Sequence, residues 1–240
     1  MPKTKFEYIY YDLKEKIENQ EYIFQELLPS ENNLASIYGC SRNTIRRAIS
    51  SLVEQGYVQS VHGKGVYVIY QPVDQTNFTI GGIESFKESA MRNHKKYHTK
   101  VIQFTEIIAD ETIATKTGFS EGTEIYYIQR VRYLDNKALI LDINMFLKEV
   151  VPGLTKEIAE RSIYEYIENE LGMPIITSKR RMTVERVTET DKKYLELNDY
   201  NCLAVISSQT YNDKGIMFEY TQSRHRPDYF CFHDTATRKR

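Results

Sequence analysis

The residues richest in chemical possibility lie in Ser41-Arg42-Asn43-Thr44-Ile45-Arg46-Arg47. Arginine can hold O6 and N7 of guanine with two hydrogen bonds, and asparagine can do the same for adenine. Each such pair is worth about 1–3 kcal/mol of base discrimination. Arg47, and Lys64 within His62-Gly63-Lys64-Gly65, suit phosphate oxygens, which set register without reading sequence. A second pair of cations, Arg130 and Arg132, lies in the strand-like run Ile125–Tyr133. Residues two apart on a strand share a face, about 6.5–7 Å from each other. Two cations on one face of an apolar strand need an anion. A phosphate would serve, since its oxygens match the guanidinium fork. Carboxylates on neighbouring strands would serve as well. Ser162 and Tyr164 bring hydroxyls to what reads as the opening of a helical turn, where free backbone N–H groups seat anions. The commoner fate of such a serine is simply to cap its helix, and of such a tyrosine to pack.

The elements that carry these groups follow from hydrophobic period. Phe6, Ile9, Tyr10, Leu13 and Ile17 recur at helical spacing and predict a helix over about Lys5–Asn19. Ser30 caps a second short helix buried through Leu34, Ile37 and Tyr38, and Gly39 ends it. Ser41 then opens a third, about Arg42–Gln55, with Ile45, Ala48, Ile49, Leu52 and Val53 as its core stripe. Arg42, Asn43, Arg46, Arg47 and Ser50 fall off that stripe. An ordinary solvated helix face would look the same in isolation. The tight glycine turn before it, and the glycine hairpin between Tyr57–Val61 and Val66–Ile69 after it, favour a winged helix-turn-helix.

Gln71–Thr79 lacks periodicity and reads as a linker. Beyond it, Thr99–Glu106, Thr123–Tyr133, Leu139–Met145, Ile175–Val187, Leu203–Tyr211, Ile216–Ser223 and Tyr229–Phe232 are strand-like, and Thr155–Leu171 is helical. The expected fold class is α+β with a mostly antiparallel sheet. The expected domains are 1–70, a linker over 71–81, and 82–240.

Formal net charge is −1, from 32 basic and 33 acidic side chains, which excludes indiscriminate coating of a polyanion. Met1–Tyr70 carries eight of each sign, yet Cys40–Tyr70 has four basic residues against one acidic. Basic charge is thus local and oriented. No apolar run is long enough to span a membrane and no signal-peptide core follows Met1. Cys40, Cys202 and Cys231 form no CxxC pair, which suits a reducing cytoplasm, and Cys202 and Cys231 read as buried thiols. Neither a nucleophile–base motif nor a metal cluster is evident, so no catalytic residue, metal or cofactor is expected.

Pro29–Val68, through Pro29-Ser30-Glu31, Ser41-Arg42-x-Thr44-x-Arg46 and His62-Gly63-Lys64-Gly65, resembles the DNA-binding domain of GntR-family bacterial regulators. The resemblance implies operator contacts from Asn32, Arg42, Asn43, Thr44 and Arg46 and from the wing tip His62, Gly63 and Lys64; Asn32 departs from the arginine often found there. Gly82–His233 resembles the effector-binding domain of the HutC subfamily, with its chorismate-lyase-like (UTRA) fold. Gly82-Ile83-Glu84-Ser85-Phe86 is similar to that domain's opening loop, Arg130-Val131-Arg132 to its phosphate clamp, and Ser162-x-Tyr164 to its second phosphate contact. Asp142 and Glu219 stand where sugar-phosphate-sensing members place carboxylates for sugar hydroxyls. His225 stands where amino-sugar-sensing members have tyrosine, a departure from an N-acetylglucosamine phosphate effector.

Leu154–Ile158, Ser162–Glu168 and Tyr220–Arg226 are similar to the trehalose operon repressors of Gram-positive bacteria, a branch of that subfamily. This implies a homodimeric repressor of trehalose utilisation that binds a roughly palindromic double-stranded operator and is released by trehalose 6-phosphate. Another phosphorylated sugar, such as glucosamine 6-phosphate, is the first alternative. An enzyme of lyase-like fold is the second.

Overall fold

A computed structural model describes residues 4–71, 77–79 and 82–233. The described residues fall into two compact units, one of residues 4–71 with His233 and one of residues 77–79 with 82–232. In the first, α1 (Lys5–Glu18) starts at a capping box in which Thr4 accepts from the Glu7 amide and Glu7 accepts from the Thr4 amide. Helix α2 (Glu31–Tyr38) is capped by Ser30 and stops at Gly39, whose φ of 57° is left-handed. Helix α3 (Arg42–Glu54) is capped by Ser41. Ile9, Leu13, Ile17, Leu34, Ile45, Ala48 and Leu52 make one fully buried core. Strands β1 (Val58–Val61) and β2 (Gly65–Val68) form the hairpin, with the buried Val58 and Val68 facing each other. The chain before α2 extends this hairpin: the Leu28 amide donates to the Val66 carbonyl, and the Val68 amide to Glu26. That pairing has no sequence signature of its own.

Much of the expected linker lies outside the described residues; within it, Asn77–Thr79 form a short strand, β3. The second unit is built on a six-stranded antiparallel sheet. Its strands are β4 (Tyr97–Ile108), β5 (Glu124–Leu134), β6 (Lys137–Leu147), β7 (Ile175–Arg186), β8 (Cys202–Asn212) and β9 (Met217–His225), in the spatial order β4-β5-β6-β9-β8-β7. Two three-stranded meanders thus meet along β6 and β9. Asp135 and Asn136, both at positive φ, make the two-residue turn between β5 and β6. A last short strand, β10 (Cys231–His233), pairs with β3.

Helices α4 (Phe86–Arg92), α5 (Glu111–Thr117), α6 (Lys156–Arg161), α7 (Ile163–Glu165) and α8 (Glu189–Tyr194) complete the unit. Helices α6 and α7 pack their Ala159 and Ile163 with Tyr126, Ile128 and Phe146 on one face of the sheet. Farther along the strands the same face turns polar, and that change creates the cavity described below.

Four expectations change. Of the three residues expected to bury α2, Leu34 is buried and Tyr38 half-buried, but Ile37 is 65% exposed. The helical stretch Thr155–Leu171 is not one helix: Ser162 is extended (φ −151°, ψ 112°), separating α6 from α7, and Tyr166–Glu170 continue as a π-helical turn. Ile158, Ile163 and Ile167 keep an apolar stripe through the break, so the pattern conceals it. Tyr229 belongs to a 3₁₀ turn, Pro227–Tyr229, because Pro227 has no amide to give a strand ladder. Cys202 and Cys231 are half-buried rather than buried. No helix among the described residues is long and apolar enough to cross a membrane.

Candidate functional site

On α3, Arg42, Asn43, Arg46, Arg47 and Ser50 are exposed, opposite the buried Ile45, Ala48, Ile49 and Leu52. Thr44 is half-buried, its hydroxyl 2.9 Å from that of Ser41. Asn32 is exposed on α2, and His62, Gly63 and Lys64 are exposed at the hairpin tip. Gly63 sits at φ 73°, a conformation that favours glycine in this turn. Two contacts escaped the sequence reading. Glu31, in the first turn of α2, accepts from Arg46 Nε at 2.9 Å and from Arg42 Nη2 at 3.3 Å. The arginines hold its carboxyl below the usual carboxylate range. With both arginine side chains more than half exposed, these pairs orient rather than stabilise. The Arg47 guanidinium lies 4.2 Å from the centre of the Phe6 ring, so a cation–π contact ties it to α1.

In the second unit, strand register defines a polar floor. Arg130 faces Asp142, Asp142 faces Ser223, and Ser223 faces Ile206, across β5, β6, β9 and β8. The adjacent row on one side is Arg132, Ile140, His225 and Ala204; on the other side it is Asn144, Thr221 and Ser208. This floor, α4 with its preceding loop, and the α6–α7 break border a cavity of about 170 Å³. Ser85, Phe86, Arg130, Arg132, Asp142, Ser162, Tyr164, Glu219 and His225 all line it.

The two arginines differ. Arg132 donates through Nε to Asp142 Oδ2 at 2.7 Å and through Nη1 to Thr99, and its guanidinium lies 4.9 Å from the centre of the Phe86 ring. It has taken a carboxylate from the next strand. Arg130, only 4% exposed, has neutral partners: Nε donates to Asn144 Oδ1 at 2.9 Å and Nη1 to the Ala159 carbonyl at 3.3 Å. Among the described residues no carboxylate lies within ion-pair distance of it. Burial, and then the neighbouring Arg132 charge, push its pKa down to about 9. Asp142, which also accepts from Ser223 at 2.6 Å, is held below the usual range by Arg132 and Arg130 in spite of its burial.

From Arg130 a chain of hydrogen bonds runs outward. Asn144 donates to Thr221, Thr221 donates to Glu219 Oε1 at 2.6 Å, and Tyr164 donates to Glu219 Oε2 at 2.7 Å. Burial, then the Glu219 charge, raise the Tyr164 pKa well above its ordinary value. Ser162 Oγ accepts from the Glu165 amide, and Ser85 shares a capping box with Glu88. Lys87 pairs with Glu165, tying the start of α4 to α7. The sequence reading missed Asn144, Thr221, Ser223 and Ser208. Asn144 alternates with Asp142 along β6, but Thr221, Ser223 and Ser208 stand among other polar residues, so alternation alone does not single these positions out.

Residues 5–68 match the bacterial regulatory proteins of the gntR family, and residues 92–231 match the UTRA domain. Over 238 residues, 99% of each chain, the sequence is 37% identical to the HTH-type transcriptional regulator TreR of Bacillus subtilis. The chain belongs to the GntR family. Within that family it is a transcriptional regulator of the HutC type, whose helix-turn-helix binds DNA and whose UTRA domain binds a small-molecule effector. The effector-binding domain of the B. subtilis trehalose repressor is 36% identical, with a TM-score of 0.54 over 60% of this chain and 99% of that one. The B. subtilis protein YydK, a possible transcriptional regulator at 24% identity, shares the fold, with a TM-score of 0.81 over 98% of this chain and all of that one.

In this GntR-family chain His225 is fully enclosed, 5.1 Å between its ring centre and that of Phe230. Burial lowers its pKa from 6.5 to about 4. A base whose folded pKa is depressed favours folding above the unfolded pKa and loses that advantage as pH falls toward the folded one. Stability is therefore expected to drop by roughly 3 kcal/mol between pH 6.5 and 4 on this account. Urea unfolding of the wild type and of His225→Asn over that range checks it. The difference between their stabilities should shift in favour of the variant on acidification; parallel curves would refute it.

Proposed function

We propose that this chain is a cytoplasmic, homodimeric repressor of trehalose utilisation genes, released from a roughly palindromic operator by trehalose 6-phosphate, and not an enzyme. The observation that carries the reading is Arg130: a buried guanidinium with neutral partners, beside an Arg132 already paired to Asp142, in a cavity floored by hydroxyl and amide groups. Such an arrangement asks for one anionic group and several sugar hydroxyls. The likeness to TreR points to the sugar. In this reading Arg130, Arg132, Ser162 and Tyr164 hold the phosphate, and Ser85 and Phe86 close over it. Asp142, Glu219 and His225 meet hydroxyls.

Arg42, Asn43, Thr44 and Arg46 read bases, while Asn32, Arg47, His62, Gly63 and Lys64 fix the duplex. Dimerisation is supported by β7, an edge strand among the described residues, which leaves Ile176, Met182 and Val184 exposed beside its outer edge. A symmetric dimer requires a symmetric site. The effector acts by linkage: it binds one arrangement of the dimer better than the arrangement that fits the operator, and shifts the balance by that difference.

Operator binding measured by fluorescence anisotropy, with trehalose 6-phosphate, glucosamine 6-phosphate and trehalose added in turn, tests the reading. Release by trehalose 6-phosphate at concentrations at least tenfold below the others is expected. Stronger release by glucosamine 6-phosphate would replace the effector, and release by unphosphorylated trehalose would remove the phosphate clamp.

A further inference from the structure

The cavity has a second cationic wall, which the Arg130–Arg132 pair does not account for. Strand β7 is an edge strand and is exposed along most of its length. An arginine there ordinarily extends into water. Arg180 stays exposed but is tethered: Nη2 donates to the Gly82 carbonyl at 2.9 Å, and the side chain lines the cavity. Its charge acts on Tyr164, opposing the rise in that phenol's pKa.

Register then relates Arg180 to the clamp. Arg180 faces Ser208, Ser208 faces Thr221, and Thr221 faces Asn144, which accepts from Arg130. A row of neutral hydrogen-bonding groups thus runs across the floor with a guanidinium at each end. The strands bearing the two arginines, β5 and β7, are four spacings apart, roughly 19 Å between backbones. A hexose ring is about as wide as one spacing. A monosaccharide phosphate held at Arg130 leaves the Ser208–Arg180 end of the row empty, whereas a second ring extends over it.

We propose that Arg180 is a specificity-determining residue that contacts the sugar ring farther from the phosphate, so that the cavity selects disaccharide phosphates over monosaccharide phosphates. This deepens the reading of a sugar phosphate held at Arg130 and rests on it. The test is calorimetric titration of the full-length wild type, Arg180→Met and Arg180→Lys with trehalose 6-phosphate and with glucose 6-phosphate. Wild type should favour the disaccharide phosphate. Arg180→Met should lose about tenfold or more in affinity for it, the scale of one charged hydrogen bond, while changing less than twofold toward glucose 6-phosphate. Arg180→Lys should fall between.

Equal losses for both ligands, as a loosened Gly82 loop would produce, overturn the assignment, and so does undiminished affinity for trehalose 6-phosphate. A wild type that prefers glucose 6-phosphate, or binds neither compound, overturns the trehalose 6-phosphate reading itself and the role of Arg180 with it. A wild type that prefers trehalose 6-phosphate while Arg180→Met responds no differently overturns the role of Arg180 alone.

Discussion

Arg130→Met is expected to abolish release of the operator by the effector while leaving the protein folded and bound to DNA. The buried guanidinium meets only an amide oxygen and a backbone carbonyl, and its charge is disfavoured strongly enough to bring its pKa to about 9. Each pKa unit corresponds to about 1.4 kcal/mol between charged and neutral forms, so the folded protein carries this charge at a cost of several kcal/mol. An anion entering the cavity recovers that cost and adds charge-assisted hydrogen bonds. Losing them should weaken effector affinity by about 3 kcal/mol, or more than 100-fold. Methionine keeps much of the stem and removes the desolvated charge, while Asn144 loses one donor. The two effects oppose, and the melting temperature should stay within a few degrees of wild type or rise. Calorimetric titration with trehalose 6-phosphate, alongside thermal melts and operator binding, checks all three consequences. Intact effector affinity with a melting temperature many degrees lower would make Arg130 a structural residue instead.

This division between arginines two residues apart marks where sequence reasoning stops. The alternation of β5 places Arg130 and Arg132 on one face, and that was legible. Which of them takes a carboxylate depends on β6 meeting β5 in a register that sets Asp142 opposite Arg130 and within reach of Arg132. Register between strands is a non-local property, fixed by both faces of the sheet together. Asn144, Thr221, Ser208 and Arg180 were missed for the same reason: each is an unremarkable polar residue until β6, β9, β8 and β7 lie side by side.

Helix α3 was the opposite case. Its stripe, cap and exposed arginines are all local, so period and turn chemistry disclosed them. The short helices α4, α5 and α8, of six or seven residues, are too brief for a periodic stripe, although the capping patterns Ser85–Glu88 and Thr188–Asp191 stood in the sequence. The Ser162 break was hidden because packing on Tyr126 and Phe146 keeps Ala159 and Ile163 buried on either side of it.

The pairing that shields Arg132 should also make Asp142 the most stability-sensitive residue of the cavity. Both side chains are less than a tenth exposed, and Ser223 spends its hydroxyl on the same carboxylate. Asp142→Asn preserves shape and removes the charge. Arg130 and Arg132 are then left as neighbouring buried cations, their nearest counter-charge gone. Breaking a buried pair from one side costs about 3–5 kcal/mol, which for a chain of this size lowers the melting temperature by roughly 10 °C. Replacing both partners, as Arg132→Met with Asp142→Leu, should recover most of that loss, because an apolar pair carries no desolvation cost. It should not recover the effector response.

Acid supplies an independent check. The Asp142 carboxyl is held below its ordinary range, so its contribution is present above the ordinary carboxylate pKa and vanishes as pH falls through the lowered folded value. The stability gap between wild type and Asp142→Asn should therefore be widest near neutrality and close in strong acid. Inorganic phosphate should narrow it at pH 7 by supplying the missing negative charge. A gap under about 1 kcal/mol at pH 7, unchanged by phosphate, would mean that solvent rather than Asp142 balances Arg132.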